Sequence, residues 1–188
     1  LHYQVKDAFK TDGNQSGSRT VAQASGSIGL VYHLTEQQQI YTHVASVFEA
    51  PTTTELLNNP AGRGGFNPRL NAQTSLSNEL GIRGNTAGFQ YDTAVFFIRT
   101  WDEITPFELP SSPGRAFFRN AGQSRRLGVE TRLATPEWKG LRGEVSYTYS
   151  NFEFEKYVVN DTNLEGNRFP GIPTHRWEGL VRYAHPLG

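Results

Sequence analysis

Apolar and polar side chains alternate along most of this chain, in runs separated by breaks rich in Pro, Gly and Asn. The opening run, residues 1–9, sets Leu1, Tyr3 and Val5 against His2, Gln4 and Lys6, the period-two pattern of a half-buried strand. The same pattern returns at 21–34 (Ile28, Leu30, Tyr32 and Leu34 on one parity) and 75–85 (Leu76, Leu80, Ile82). It continues through 88–104, rich in Phe and Tyr, and 116–134 (Leu127, Val129, Leu133). It closes with 141–154 (Leu141, Val145, Tyr147, Tyr149) and 175–185 (Trp177, Val181, Tyr183). Residues 39–48 are β-branched and aromatic enough for a strand, but both parities carry apolar residues, so the faces stay unassigned. No apolar stripe at three-and-four spacing lasts ten or more residues outside a run that alternates better, so no helix is expected. The pattern predicts an all-β chain, an antiparallel meander of about eight strands.

The breaks differ in length in a regular way. Connections at 10–20, 49–74, 105–115 and 155–174 are long, and those at 35–38, 85–88 and 135–140 are short, so every long one falls on the same edge of the meander. The longest, inside the stretch Val47 to Gly84, follows neither period and is full of turn-forming residues. A loop of that length in a compact domain is either functional or disordered. From Ser75 onward Glu79, Arg83, Arg126, Glu130, Arg132, Arg142, Glu144, Glu178 and Arg182 all take the parity opposite to the aliphatic one. The exceptions are Asn78 and Thr131 on the apolar parity and Leu180 on the charged one. A soluble sandwich or a lipocalin-like barrel alternates too. Loop asymmetry, strands near the roughly 10-residue membrane length, and Tyr32, Tyr147, Tyr149, Trp177 and Tyr183 toward the ends of the apolar face favour an outer-membrane barrel.

Composition sharpens this picture by exclusion. With 36% hydrophobic and 12% aromatic residues, the 188-residue chain lies in the folded range. Eighteen basic residues balance eighteen acidic ones, so no overall field points to nucleic acid. The absence of cysteine removes a disulfide scaffold and a thiolate zinc site. No run approaches the roughly 20 apolar residues of a membrane helix. That argument leaves membrane strands untouched, since they alternate and look polar on average. The chain opens on Leu1 and reads as an excised segment or a mature fragment.

The flanks of the longest loop carry a recognisable signature. Phe48-Glu49-Ala50-Pro51-Thr52-Thr53-Thr54-Glu55-Leu56, then Asn67-Pro68-Arg69-Leu70, then Ser75 with Asn78-Glu79-Leu80-Gly81-Ile82-Arg83-Gly84, resembles the TonB-dependent outer-membrane receptors. Two later segments fit the same family: Asn120-Ala121-Gly122 with Leu127-Gly128-Val129-Glu130, and Gly171-Ile172-Pro173-Thr174-His175-Arg176 ahead of Leu180-Val181-Arg182-Tyr183. The resemblance covers essentially the whole chain, as one domain, 1–188, from the later half of a barrel of about 22 strands. Family members also have an N-terminal plug carrying the TonB box. Plug, box and closing strands are absent from this sequence, and an open sheet would leave two unpaired edges, so the segment is expected to be stable only within a complete wall.

The resemblance implies a receptor and transporter of the Gram-negative outer membrane, not an enzyme. Ligand would be captured by extracellular loops and moved by the TonB-ExbB-ExbD complex acting through the missing N-terminal part. A ferric siderophore is the expected cargo, so the iron chelate is transported ligand and no resident cofactor is expected. Cobalamin, haem and oligosaccharide serve relatives. Two other classes remain: a passive porin-like or adhesin-like barrel, and a soluble β-sheet binding domain.

No catalytic constellation stands against this. There is no G-x-S-x-G elbow and no H-E-x-x-H, and Gly62-Arg63-Gly64-Gly65 lacks the lysine of a phosphate cradle. His2, His33, His43, His175 and His185 have no ligand-like spacing, and Asn160 to Gly166 is too short for a calcium loop. The charges of the charged parity are expected to pair across neighbouring strands or against a plug. Candidates for substrate contact lie on the long connections: Arg63, Phe66 and Arg69; Arg115, Phe117, Phe118 and Arg119; and Tyr157 and Arg168. Cations with aromatics suit an anionic chelate through charge-assisted hydrogen bonds and stacking, while solvated arginines or contacts to outer-membrane lipid and lipopolysaccharide are the plainer reading.

Overall fold

A computed structural model of the chain describes residues 2–7, 17–61, 65–159 and 162–185. Its strands are β1 (His2–Asp7), β2 (Gly17–Ala22), β3 (Gly26–Thr35), β4 (Gln38–Glu49), β5 (Gln73–Thr86), β6 (Phe89–Leu109), β7 (Ser112–Ala134), β8 (Leu141–Lys156), β9 (Val158–Val159), β10 (Thr162–Asn163) and β11 (His175–Tyr183). One short helix, α1 (Thr53–Leu57), interrupts them. Seven strands form one antiparallel sheet in the order β11-β8-β7-β6-β5-β4-β3. The first expected strand, β1, pairs with β2 in a separate hairpin, and the run 21–34 is divided between β2 and β3. The meander is therefore as the alternation predicts, with its first pair set off from the main sheet.

The register assigns the faces, including those of β4 that the pattern left open. Ile40, Thr42, Val44, Ser46 and Phe48 lie on the apolar side, because Ile40 is opposite both Tyr32 and Ile82. Tyr41 and His43 join the charged side, with Gly81 and Glu79 as partners. The apolar face is also the exposed face: Leu80 is 58% and Val181 75% accessible. A soluble sandwich buries this face against a second layer, and here no second layer covers it among the described residues.

The apolar band is staggered. Ile82 is the last large apolar residue of β5 toward the short turns, and its row runs through Thr93, Thr131 and Tyr147 to Trp177. Trp177 is the first apolar residue of β11 from the opposite edge. The row that bounds the band on one side of the sheet thus bounds it on the other side at the opposite end. That shift is about 1.5 residues per strand, or ~5 Å along the strand for each ~4.8 Å step between strands. A level band therefore requires strands tilted by ~45°, close to the tilt of closed membrane barrels.

Charged-face packing explains two glycines of the signature. A Cβ at Gly81 would run into the ring of Tyr41, whose hydroxyl donates to Asp92 Oδ1 at 3.1 Å. A Cβ at Gly128 would meet the Phe96 ring and stand 2.8 Å from the Tyr149 carbonyl oxygen. Gly81→Ala can be accommodated by moving one side chain, whereas Gly128→Ala presses on backbone. Chemical denaturation of the folded receptor should therefore show Gly128→Ala losing about 1–3 kcal/mol whether or not Phe96 is truncated. The smaller loss from Gly81→Ala should vanish when Tyr41 is also alanine. Equal relief in both pairs would contradict this packing.

Two expectations about loops are corrected. Residues 105–115 are not a long loop: β6 extends to Leu109 and β7 starts at Ser112, leaving Pro110-Ser111 as the turn. Pro106 is admitted because β5 pairs with β6 only as far as Trp101, so β6 lacks a neighbour on that side. With 21 and 23 residues, β6 and β7 reach well past the ~9–11 residues that a tilted strand needs to cross a bilayer. The second correction is α1 itself, which lies inside the 49–74 connection where no helix was expected.

Candidate functional site

At the edge bearing the long connections, the chain builds the only cluster of large buried apolar side chains among the described residues. Leu56 and Leu70 are 1% and 0% accessible, and Phe66, Ile104 and Phe118 pack against them. The signature around the longest loop makes this cluster. Thr52 caps α1: its hydroxyl accepts from Glu55 N at 3.3 Å, and the Glu55 carboxylate accepts from Thr52 N at 2.7 Å. This reciprocal capping box starts the helix directly after the buried Pro51 and turns Leu56 inward. The Thr-x-x-Glu spacing was the sequence signal for a helix start, overlooked because one turn is too short to show an apolar stripe.

The return of the loop is tied down in the same way. Asn67 N donates to the Leu56 carbonyl at 2.7 Å, and Asn67 Oδ1 accepts from Arg69 N at 3.0 Å, turning the chain at Pro68 so that Leu70 points back into the cluster. Asn120 of β7 then acts like a strand: its Oδ1 accepts from Asn71 N at 2.6 Å, and its Nδ2 donates to the carbonyls of Asn71 at 2.8 Å and Asp102 at 2.7 Å. Asp102 has φ of 54°, in a bulge that offers this carbonyl. Gly122 leaves room for Glu103, whose Cβ would be 3.0 Å from a Cβ at that position. Of the other signature residues, Phe48, Leu80 and Gly84 keep their places on β4 and β5, and Glu79 lies on the charged face.

The predicted contact residues divide by this architecture. Phe66 and Phe118 belong to the buried cluster, and Phe117 is 3% accessible, its ring 6.0 Å from Phe107. Arg115 is held at 3.1 Å by Asn58 Oδ1 and lies 5.0 Å over the Phe117 ring. Arg119 lies 4.9 Å over Phe107 and donates to the Val158 carbonyl, joining β7 to β9. Arg69 is exposed at a groove shared with Asn59, Pro60, Phe66 and Pro68. Arg168 donates to Thr174 Oγ1 at 3.0 Å, and Arg63 lies outside the described residues. The structure thus brings Arg115, Phe117, Phe118, Arg119 and Phe66 onto one hairpin-and-loop unit, with Tyr157 and Arg168 on the neighbouring connection.

Tyr157 leads to a cluster the sequence reading missed. Its ring is 4.6 Å from Phe154, which stacks on Phe169 at 4.3 Å; Phe152 is 6.5 Å from Phe169 and 6.3 Å from Phe96. Arg126 lies 5.4 Å over Phe169 and pairs at 2.9 Å with Glu103, whose other oxygen is buried without a hydrogen-bond partner. These groups lie on the charged face, toward the long-connection edge. The signal was a phase change: after Ser146, Thr148 and Ser150 the same parity of β8 continues as Phe152 and Phe154, while the apolar parity turns to Asn151, Glu153 and Glu155. Elsewhere on that face the expected pairing occurs: Arg132 forms a bidentate pair with Glu144 at 2.6 and 2.7 Å.

A sheet with an exposed, tilted apolar band on one face, and cations, aromatics and packed loops at one end of the other, suits a barrel wall with a ligand-facing interior. A family model for the TonB dependent receptor-like β-barrel matches residues 2–188. The chain belongs to the TonB-dependent receptor β-barrel family. Within that family it is 29% identical over 155 residues to the pesticin receptor of Yersinia pestis, covering 81% of this chain and 21% of that receptor. Solved receptor structures share the fold. The ferric yersiniabactin uptake receptor FyuA from Yersinia pestis matches with a TM-score of 0.66 at 23% identity, over 88% of this chain and 24% of FyuA. The siderophore receptor PiuA from Acinetobacter baumannii matches with 0.68 at 17% identity, over 97% and 27%. The chain spans about a fifth of the length of the curated relatives it matches. In this TonB-dependent receptor wall the signature residues Thr52, Glu55, Leu56, Asn67 and Leu70 hold the longest loop in place.

Proposed function

We propose that this chain is part of the wall and outer rim of a TonB-dependent outer-membrane receptor of a Gram-negative bacterium. Its cargo is an anionic, aromatic-bearing iron chelate of the siderophore class. The observation that carries the reading is the division of the sheet: a charge-free apolar band tilted as a barrel requires, backed on the other face by Arg126 and the Phe152–Phe154–Phe169 cluster beneath packed loops. The apolar band faces outer-membrane lipid, the long connections face outward, and the short turns face the periplasm. Capture uses stacking and charge-assisted hydrogen bonds, both suited to a chelate that presents aromatic rings and negative oxygens. A ferric yersiniabactin uptake receptor and a siderophore receptor among the solved structures of similar fold support this cargo class. Transport is active, energised by TonB-ExbB-ExbD through the plug-bearing part of the full receptor, and involves no covalent chemistry on the ligand.

The test is uptake by a strain lacking the gene, complemented with the whole gene and offered a panel of radiolabelled ferric chelates. Energy-dependent uptake of one chelate is expected, with affinity lowered roughly tenfold by Phe169→Ala through loss of stacking area and of the Arg126 platform. Uptake that persists without TonB, or with no preference across the panel, would refute the reading in favour of a passive pore.

A further inference from the structure

Glu103 reaches the charged face only because β6 is bulged. Thr100 is opposite Ser124 and Glu103 is opposite Gly122, three residues of β6 against two of β7, with Asp102 in the bulge at φ of 54°. The extra residue turns Glu103 to the side of Thr100 and Arg126, where an unbroken strand would place Asp102. Gly122 makes room for the carboxylate: a Cβ there would stand 3.5 Å from Glu103 Oε2. That oxygen is buried with no hydrogen-bond partner among the described residues, and Ser124, between Gly122 and Arg126 on β7, is fully buried.

The resulting ion pair is unlike its neighbour on the same face. Arg132 closes on Glu144 with Nε and a terminal nitrogen and engages both carboxylate oxygens. Arg126 gives Glu103 Oε1 a single hydrogen bond from one terminal nitrogen, and its Nε and other terminal nitrogen have no acceptor among the described residues. The guanidinium is the outer partner, its side chain 30% accessible against 11% for Glu103, and it lies over the Phe169 ring. A pair that served only to hold β6 against β7 gains most from the fork-to-fork geometry of Arg132 and Glu144. Here most of the arginine's donors are left beside the aromatic cluster, with a buried negative charge directly behind them.

We propose that Glu103 is a positioning residue that also sets the affinity of the ligand site. One oxygen fixes Arg126 over Phe169, and the carboxylate charge offsets part of the attraction between Arg126 and an anionic chelate. The proposal rests on the cargo reading above. Arg126 offers its free N–H groups to the negative oxygens of the ligand, while Glu103 repels them, and the repulsion grows with the charge of the chelate.

The purified full-length receptor can be titrated, by quenching of its tryptophan fluorescence, with two aromatic chelates of similar size. One is a hexadentate iron(III) tris-catecholate, which is trianionic; the other is a hexadentate iron(III) tris-hydroxypyridinonate, which is neutral. Glu103→Gln keeps an acceptor for Arg126 and removes the charge, so the trianionic chelate should bind about tenfold tighter and the neutral one as before. Arg126→Gln should weaken the trianionic chelate about tenfold. Both substitutions abolish the same ion pair, so a purely structural role moves both affinities in one direction, whereas a charge acting on the ligand moves them in opposite directions. Unchanged or weaker binding of the trianionic chelate by Glu103→Gln would overturn the proposal, as would equal shifts for the two chelates. Unchanged trianionic binding by Arg126→Gln overturns it independently, whether or not the Glu103 variant folds. A wild-type receptor that does not bind the trianionic chelate defeats instead the cargo reading beneath the proposal.

Discussion

Val145→Arg is expected to impair assembly of the full receptor in the outer membrane, while Ser146→Arg, one residue along β8, is tolerated. Val145 is on the apolar face in the row of Leu133, Tyr91 and Gly179, with no charged neighbour in that row. An arginine there meets hydrocarbon and should cost about 2–4 kcal/mol near the bilayer midplane. Ser146 is opposite Arg132 on one side and Glu178 on the other. A new guanidinium there reaches the Glu178 carboxylate in a polar interior, so a surface-type pair offsets its repulsion from Arg132. The measurement is the fraction of heat-modifiable, folded receptor in outer membranes, or the midpoint of urea unfolding in lipid. If both variants assembled equally, the face assignment of the whole sheet would be wrong, because register couples every strand to β8.

Leu70→Ala should have an effect of similar size in a different place. Leu70 is fully buried against Leu56, Phe66, Ile104 and Phe118, so truncation leaves a cavity worth about 2–5 kcal/mol. That cluster holds the 49–72 connection to the β6–β7 hairpin and lies beyond the membrane-crossing length of the strands, so the loss should stay local. Amide exchange across 53–72 should accelerate strongly, with exchange in β5 and the lower halves of β6 and β7 unchanged. Ligand affinity should fall because capture must then order the loop, while assembly and heat-modifiability stay as in the wild type. A loss of barrel assembly would mean that this cluster is part of the folding core and not a separately ordered rim.

The two effects follow from different kinds of information. Face assignment was legible in the sequence because period two is local: Leu141, Val145 and Tyr147 against Arg142, Glu144 and Ser146 needs no knowledge of the neighbouring strand. Where one parity was ambiguous, in 39–48, only the pairing of Ile40 with Tyr32 and Ile82 resolved it. Prolines mark 105–115 as a loop in the sequence because proline breaks a strand that is paired on both sides. At Pro106 the sheet supplies an unpaired side where a missing N–H costs nothing. The helix was marked by Thr52 and Glu55, but one turn gains its stability from Leu56 packing on residues far along the chain.

The contact residues show the same limit. A place on a long connection, with the ligand class that the family resemblance implies, singles out Arg115, Phe117, Phe118 and Arg119; they do share one unit, in which Phe117 and Phe118 pack, Asn58 holds Arg115 and the Val158 carbonyl holds Arg119. The Phe152–Phe154–Phe169 cluster went unread, although the change of phase after Ser150 announced it. A swap of polar and apolar parity within one strand has two meanings, a bulge or a change of surroundings, and the unbroken register through Arg126 and Phe152 selects the second.

By itself the sequence determined the strand periods, the side of each strand that avoids charge, and the family signature around residues 48–84, all of them short-range patterns. The tertiary structure alone decided the tilt of the apolar band, the joining of the longest loop to the β6–β7 hairpin, and the placing of Glu103 beside Arg126. Those depend on which residue of one strand lies opposite which residue of the next, and that is set by the sum of many cross-strand contacts, not by any local spacing.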